Sequence, residues 1–248
     1  MFESYLYPYV LRVMPGALLG IICLAVLGRK AAGLRIVLYI MLFILIRDAM
    51  TPLEFWKFGA AEVFWIRFSA PGLFLLLLGM MSAGAVILMG LYDPEVRGFS
   101  PWFIGPKGAA AAEGLLGALL AAGPLLVLYT FVPLGSRGGP VEGALLPGIF
   151  AAALLGNLYE EVLFRGYLQG YLENRHAVGR WRAGILSGLF FGFGHSFLAL
   201  TVTGTGWPLL AFAVYEGVLC GLLRARRGLF AAVLAHGVAI FVLAAGLW

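Results

Sequence analysis

Apolar runs long enough to cross a bilayer fill most of this chain, at about 7–28, 31–46, 69–91, 109–133, 147–172, 183–200, 207–223 and 228–247. A helix needs roughly 20 such residues to span the hydrocarbon, where every backbone N–H and C=O must be satisfied within the segment. Charged residues make up only 12% of the 248 and hydrophobic ones 62%. That is about half the charge of a soluble domain. So little charge cannot coat a water-facing surface, which excludes a soluble globular enzyme. The glycines and prolines follow no collagen period, and the apolar runs exclude a disordered chain. The expected fold is all-α: a polytopic transmembrane bundle of about eight spans, forming one membrane domain over 1–248.

The net charge of +5 does not mark a nucleic-acid binder, because the basic residues sit in short clusters between apolar runs. Cys23 and Cys220 lie inside apolar runs and read as small core residues, with no disulfide framework. Met1–Tyr7 has no basic stretch ahead of the first run, so that span should be retained rather than cleaved. The connections after spans one, three, five and seven hold 11 Lys and Arg residues, Arg29, Lys30 and Arg35 among them, whereas the opposite side holds four: Arg47, Lys57, Arg67 and Arg137. The positive-inside rule then puts both termini outside. Arg12 and Arg165 fall within spans. The stretch from Arg47 to Arg67 mixes aromatics with both charge signs, as a segment lying in the interface would.

Ionisable groups inside spans are expensive and usually functional. Span five carries Glu160, Glu161 and Arg165, span six His195, span seven Glu216 and span eight His236. Glu160 lies 13 residues before Glu173, His195 lies 13 after Arg182 and His236 lies 9 after Arg227. At 1.5 Å per residue each is roughly 13–20 Å in from the basic edge. Three titratable groups from three helices should therefore meet at one depth, in a cavity expected to open on the basic, cytoplasmic side.

Within span five, Glu161 and Arg165 are i,i+4 neighbours with the acid first, the favourable order for an intrahelical pair. Glu160 points about 100° away, on the face of Asn157 and Phe164. One carboxylate is thus neutralised while the other is left to act as a general base. In span six, Gly184, Gly188, Gly192 and Ser196 form a small-residue ridge suited to close helix contact. His195 stands one residue off that ridge with Phe191, and Phe190, Phe191 and Phe193 read as packing. Glu216 either supports the site or pairs with a neighbouring helix.

Two histidines and a carboxylate inside a membrane suit proteolysis, proton-coupled transport or metal binding. No His-Glu-x-x-His or Gly-x-Ser-x-Gly occurs, and the aspartates, Asp48 and Asp93, lie outside the apolar runs. Zincin, rhomboid-like and aspartyl designs are therefore unsupported, leaving a glutamate/histidine site.

Glu160-Glu161-x-x-x-Arg165, then Phe191-x-x-x-His195, then His236 in the last span resembles the CPBP family of intramembrane proteases. That family includes CAAX-processing endopeptidases and bacteriocin-immunity (Abi-like) relatives. The resemblance covers about 145–248; residues 1–140 match only in being hydrophobic. It implies that Glu160 activates water with His195, that Glu161 and Arg165 shape the site, and that His236 helps bind the oxyanion. The family's third motif is His-x-x-x-Asn, and here the fourth position is Ile240. An amide donor is missing from the expected oxyanion site, for which Asn157 is a substitute one helix away. A glutamic, cofactor-free protease is favoured over a zinc enzyme, which would use Glu160, His195 and His236 as ligands. The implied partners are the lipid bilayer and a membrane-presented protein or peptide tail, with no nucleic acid, in a multi-pass protein of the bacterial inner membrane. The alternative is a non-catalytic transporter or an immunity or export scaffold, although no internal repeat of the kind carriers show is visible.

Overall fold

The computed structural model describes residues 2–28 and 31–247, without the side chains of 2–6, 8–10 and 12. Arg29, Lys30, Met1 and the Arg12 side chain, used above for orientation and retention, lie outside the described residues. The long helices are α1 (Phe2–Val26), α2 (Ala32–Met50), α3 (Gly72–Tyr92), α5 (Lys107–Tyr129), α6 (Leu146–Glu161), α8 (Arg180–Phe193), α9 (Trp207–Arg227) and α10 (Leu229–Ala244). Short α4 (Pro94–Arg97) and α7 (Gln169–His176) lie at the basic end. Each apolar stretch thus becomes helix. Among the described residues, six continuous stretches are long and apolar enough to cross a membrane, and Val13–Val26 and Leu229–Ala244 are shorter apolar helices. Leu73, Met81, Leu88, Phe131 and Phe193 point outward, as lipid-facing side chains do.

Local chemistry sets the helix ends. Pro147 and Pro208 sit in the first turns of α6 and α9, where a missing N–H costs nothing. Arg224, Arg226 and Arg227 complement the negative end of α9, and Gly228, at φ +94°, turns the chain into α10. Small residues set the packing. An added Cβ at Gly221 would fall 2.2 Å from the Gly184 carbonyl oxygen, and one at Gly188 would fall 2.5 Å from Val218 Cα. The glycine ridge read from span six is therefore where α8 meets α9. Helix α6 packs between α3 and α10, and α10 also packs on α5.

The Arg47–Arg67 region departs from its reading as an interfacial segment. Helix α2 continues through Arg47 and Asp48, which are buried and paired at 2.7 Å. Adjacent opposite charges neutralise each other, so the helix need not end there, and Asp48 lies within the spanning stretch rather than outside it. Asp93 is held instead at the basic end by Arg35 at 2.7 Å and by the Tyr39 hydroxyl at 2.6 Å.

Beyond α2, Trp56–Gly59 (β1) and Trp65–Phe68 (β2) form an antiparallel hairpin pairing Phe58 with Ile66. Aromatic and branched residues favour strands, but an isolated hairpin is marginal. This one is anchored: buried Arg67 donates to Leu243 O at 2.7 Å and Gly139 O at 3.2 Å, and the Tyr129 hydroxyl donates to Phe64 O at 3.0 Å. The hairpin closes the end of the bundle opposite the basic loops.

Candidate active site

Glu160 and Glu161 are the last residues of α6, and the next seven, Val162–Leu168, form a π-helical turn before α7. Such wide turns are rare and frequently mark functional sites. The pair expected from i,i+4 spacing is present. Arg165 Nη1 lies 2.9 Å from Glu161 Oε1, and both side chains are 0% exposed. Arg165 also donates to Gly217 O at 2.9 Å and places its guanidinium 4.3 Å from the Phe191 ring centre.

Glu161 has a second partner. Its Oε1 lies 2.8 Å from His236 Nδ1, and His236 Nε2 lies 3.4 Å from Glu216 Oε2. Arg165, Glu161, His236 and Glu216 thus form a buried row in which cation or imidazole alternates with carboxylate. Alternation supplies each carboxylate with the partner that a buried charge requires. Both nitrogens of His236 are engaged in this row, so it is a less available oxyanion donor than the resemblance implies.

Glu160 faces the other way. Its Oε2 stands 4.0 Å from His195 Nε2, so a water held by the carboxylate would lie against the imidazole. His195 follows Gly194, where α8 breaks, and its Nδ1 lies 2.8 Å from Phe191 O. A carbonyl oxygen only accepts, so the ring proton is on Nδ1 and Nε2 is the acceptor. The donor to Nε2 is Arg47 of α2: its Nη1 is 3.0 Å away, Nη2 donates to Gly194 O at 2.9 Å, and Nε donates to Asp48 at 2.7 Å. The Phe191 ring serves as a shared wall, 4.5 Å from the His195 ring and 5.5 Å from that of His236.

These groups line a cavity of about 360 Å³. Its walls are mostly apolar, with Phe43, Phe64, Leu209 and Phe212 among them, and the polar atoms come from Arg47, Asn157, Glu160, His195, Glu216 and His236. The Asn157 amide nitrogen is buried with no hydrogen-bond partner among the described residues. Ile240, in the place of the family's Asn, also lines the cavity.

The opening is not where sequence depth suggests. The cavity's exposed lining residues Ile46 and Met81 lie on α2 and α3, and the lining continues to the hairpin strands, away from the basic loops. On the basic side the buried Phe164, Arg165 and Tyr167 fill the bundle, and depth counted from one edge cannot reveal which edge is sealed.

All five residues singled out, Glu160, Glu161, Arg165, His195 and His236, come together here. They divide into a cavity-facing pair and a buried row rather than one ligand set. Among the described residues, no group of three His, Cys, Asp or Glu side chains is placed to hold a metal ion. Of the three residues weighed as zinc ligands, Glu160 and His195 face each other, whereas His236 is turned to Glu161 and Glu216. Arg47 was missed as a site residue. The signal was an Arg-Asp dipeptide closing an apolar run, which can extend a helix instead of ending it.

Residues 142–242 match the family model described as Type II CAAX prenyl endopeptidase Rce1-like. No curated protein and no solved structure matches the chain. The match spans α6 through most of α10 and contains Glu160, Glu161, Arg165, His195, Glu216 and His236, while α2, with Arg47, lies outside it. This is an integral membrane protein, a polytopic helical bundle whose residues 142–242 match the Rce1-like type II CAAX prenyl endopeptidase model, in line with the CPBP resemblance.

Proposed function

We propose that the protein is a glutamate-dependent intramembrane endopeptidase that hydrolyses a peptide bond in a membrane-presented protein or peptide tail. The observation that carries this reading is the division of the two adjacent carboxylates. Glu161 is held by Arg165 and His236, whereas Glu160 faces His195 across 4.0 Å in an apolar cavity.

Water held by the Glu160 carboxylate, beside the His195–Arg47 pair, gives it a proton as the water oxygen attacks the peptide carbonyl carbon. The carbonyl π pair moves onto oxygen to form a tetrahedral alkoxide. Collapse re-forms C=O, breaks the C–N bond and returns the proton from Glu160 to the leaving nitrogen, giving a carboxylic acid and an amine, which exchange a proton to leave as carboxylate and ammonium. Glu161, Arg165 and His236 hold α6, α9 and α10 in the register that this geometry requires. The family model's description directs substrate choice to prenylated C-terminal peptides. Exposed cavity lining on α2 and α3 suits a lipid-attached tail arriving from the bilayer. Residues 145–248 supply the catalytic core, and the first 140 close one side of the cavity.

The test uses the full-length protein in lipid nanodiscs with a prenylated, fluorogenic CAAX-type peptide. Glu160→Gln keeps size and hydrogen bonding but cannot take the proton, and should lower kcat by about 10²–10⁴-fold with folding unchanged. Chelator treatment should leave wild-type kcat unchanged. Wild-type turnover by Glu160→Gln, or activity lost on chelation and restored by zinc, refutes the mechanism.

A further inference from the structure

Hydrolysis here lacks one component. A tetrahedral alkoxide needs a preorganised donor, removal of which typically lowers kcat by about 10²–10³-fold, and position 240 offers only an aliphatic side chain. We infer that Arg47 of α2, outside the family-matched region, is the catalytic residue that stabilises this oxyanion. The inference rests on the proposed protease reading and adds a residue to it.

Position is the first argument. Arg47 Nη1 is 3.0 Å from His195 Nε2, the atom across from Glu160 Oε2 at 4.0 Å. The attacking water sits at Glu160 beside this pair, so the carbonyl carbon must come within bonding reach of it and its oxygen must settle beside the guanidinium. Availability is the second. Nε and Nη2 are committed to Asp48 and the Gly194 carbonyl, which fixes the guanidinium plane. Each terminal nitrogen carries two protons; one on Nη1 goes to His195, and the other has no acceptor among the described residues. A held guanidinium with a spare N–H beside the reacting centre is preorganised for an anion.

Charge is the third argument. Arg47 is the arginine among the residues that line the cavity, since Arg165 is closed off beneath Phe191. A charge-assisted bond to an alkoxide is roughly twice as strong as a neutral one. The rival donor, the unpartnered Asn157 amide, could supply only a neutral bond. Asp48 leaves Arg47 anchored without removing it from the cavity, so the guanidinium is both compensated in the resting site and free to meet new negative charge.

Kinetics on the same prenylated fluorogenic peptide test this. Arg47→Gln should lower kcat by about 10²–10³-fold with KM nearly unchanged, the signature of an interaction made in the transition state. Arg47→Lys should fall between. In the Arg47→Gln background, Ile240→Asn should recover at least about tenfold of the lost kcat by restoring the family's amide. Millimolar guanidinium should accelerate Arg47→Ala but not wild type, a rescue that a purely structural role would not show. Thermal unfolding identifies any variant that misfolds, and Arg47→Lys with guanidinium rescue then carries the test. Arg47→Gln within about threefold of wild-type kcat, or Asn157→Ala showing the large kcat loss instead, overturns the assignment of Arg47. If Glu160→Gln is inactive while Arg47→Gln is active, the protease reading survives and only this inference fails. A wild type that does not cleave sinks both.

Discussion

Replacing Arg165 by Met keeps most of the side-chain volume and removes one charge from the buried row. Arg165 contributes the 2.9 Å pair with Glu161, a 2.9 Å bond to Gly217 O and the cation–π contact at 4.3 Å, all fully buried. Breaking a buried pair by removing one partner destabilises by about 3–5 kcal/mol. The bond to Gly217 O adds little, because that carbonyl also belongs to the α9 helix. His236 still meets Glu161 at 2.8 Å, which leaves the carboxylate partly compensated and pulls the pair's contribution to the lower end. The cation–π contact adds about 0.5–2 kcal/mol, so the expected cost is about 3–5 kcal/mol. For a chain of this size that corresponds to a Tm lower by roughly 6–20 °C. The measurement is thermal unfolding of monodisperse protein in detergent for Arg165→Met, Glu161→Gln and the double variant. The double should be less destabilised than the sum of the singles, with a coupling of about 0.5–3 kcal/mol, since it leaves neither charge stranded. A Tm change of less than about 2 °C for Arg165→Met, or strict additivity, would refute the argument that Glu161 and Arg165 form one unit.

Two further outcomes follow from the packing and the opening. Gly188→Val must push against the α9 backbone 2.5 Å from its Cβ position; overpacking of about 1–3 kcal/mol should lower Tm and, by moving α8 and His195, also kcat, whereas Phe190→Ala on the exposed face of α8 should change neither. Met81→Trp at the rim should raise KM for a prenylated peptide several-fold more than for a short unlipidated one, with kcat retained; equal effects on both would place the entry route elsewhere.

Periodicity and charge chemistry account for what was legible before the structure. The apolar runs gave the bundle, because the hydrocarbon demands uninterrupted helix. The Glu161–Arg165 pair and the Gly184–Gly188–Gly192 ridge followed from helical spacing, which is local and survives any tertiary arrangement. The meeting of Glu160, His195 and His236 followed from depth, a single coordinate. What was hidden needs the other two coordinates. Which ring nitrogen faces which carboxylate depends on rotation about the helix axis, so the engagement of His236 by Glu161 and Glu216 could not be counted out. The side on which the cavity opens depends on where Phe164 and Tyr167 fall, and that is packing. Arg47 and Asp48 were assigned to an interface because a charge usually ends a span. Here two adjacent opposite charges neutralise each other, and α2 carries them on into the bundle.

The site's economy lies in separating stability from reactivity across a single peptide unit. Glu160 and Glu161 are adjacent, so helical geometry turns them about 100° apart. One falls among Arg165 and His236, the other into the cavity with His195. The row is buried and internally compensated, which suits a fixed scaffold. The cavity-facing set has the opposite character: a carboxylate and an imidazole 4.0 Å apart, and a guanidinium that a short anchor from Asp48 holds at the edge. The Phe191 ring touches both sets, lying against Arg165 and His236 as well as His195. The π turn beginning at Val162 is the local feature on which this division depends, because it widens the helix where both carboxylates must find partners on different neighbours. The family-matched segment supplies the row, Glu160 and His195, whereas the Arg47 guanidinium beside them comes from α2, so the first spans help to build the cavity.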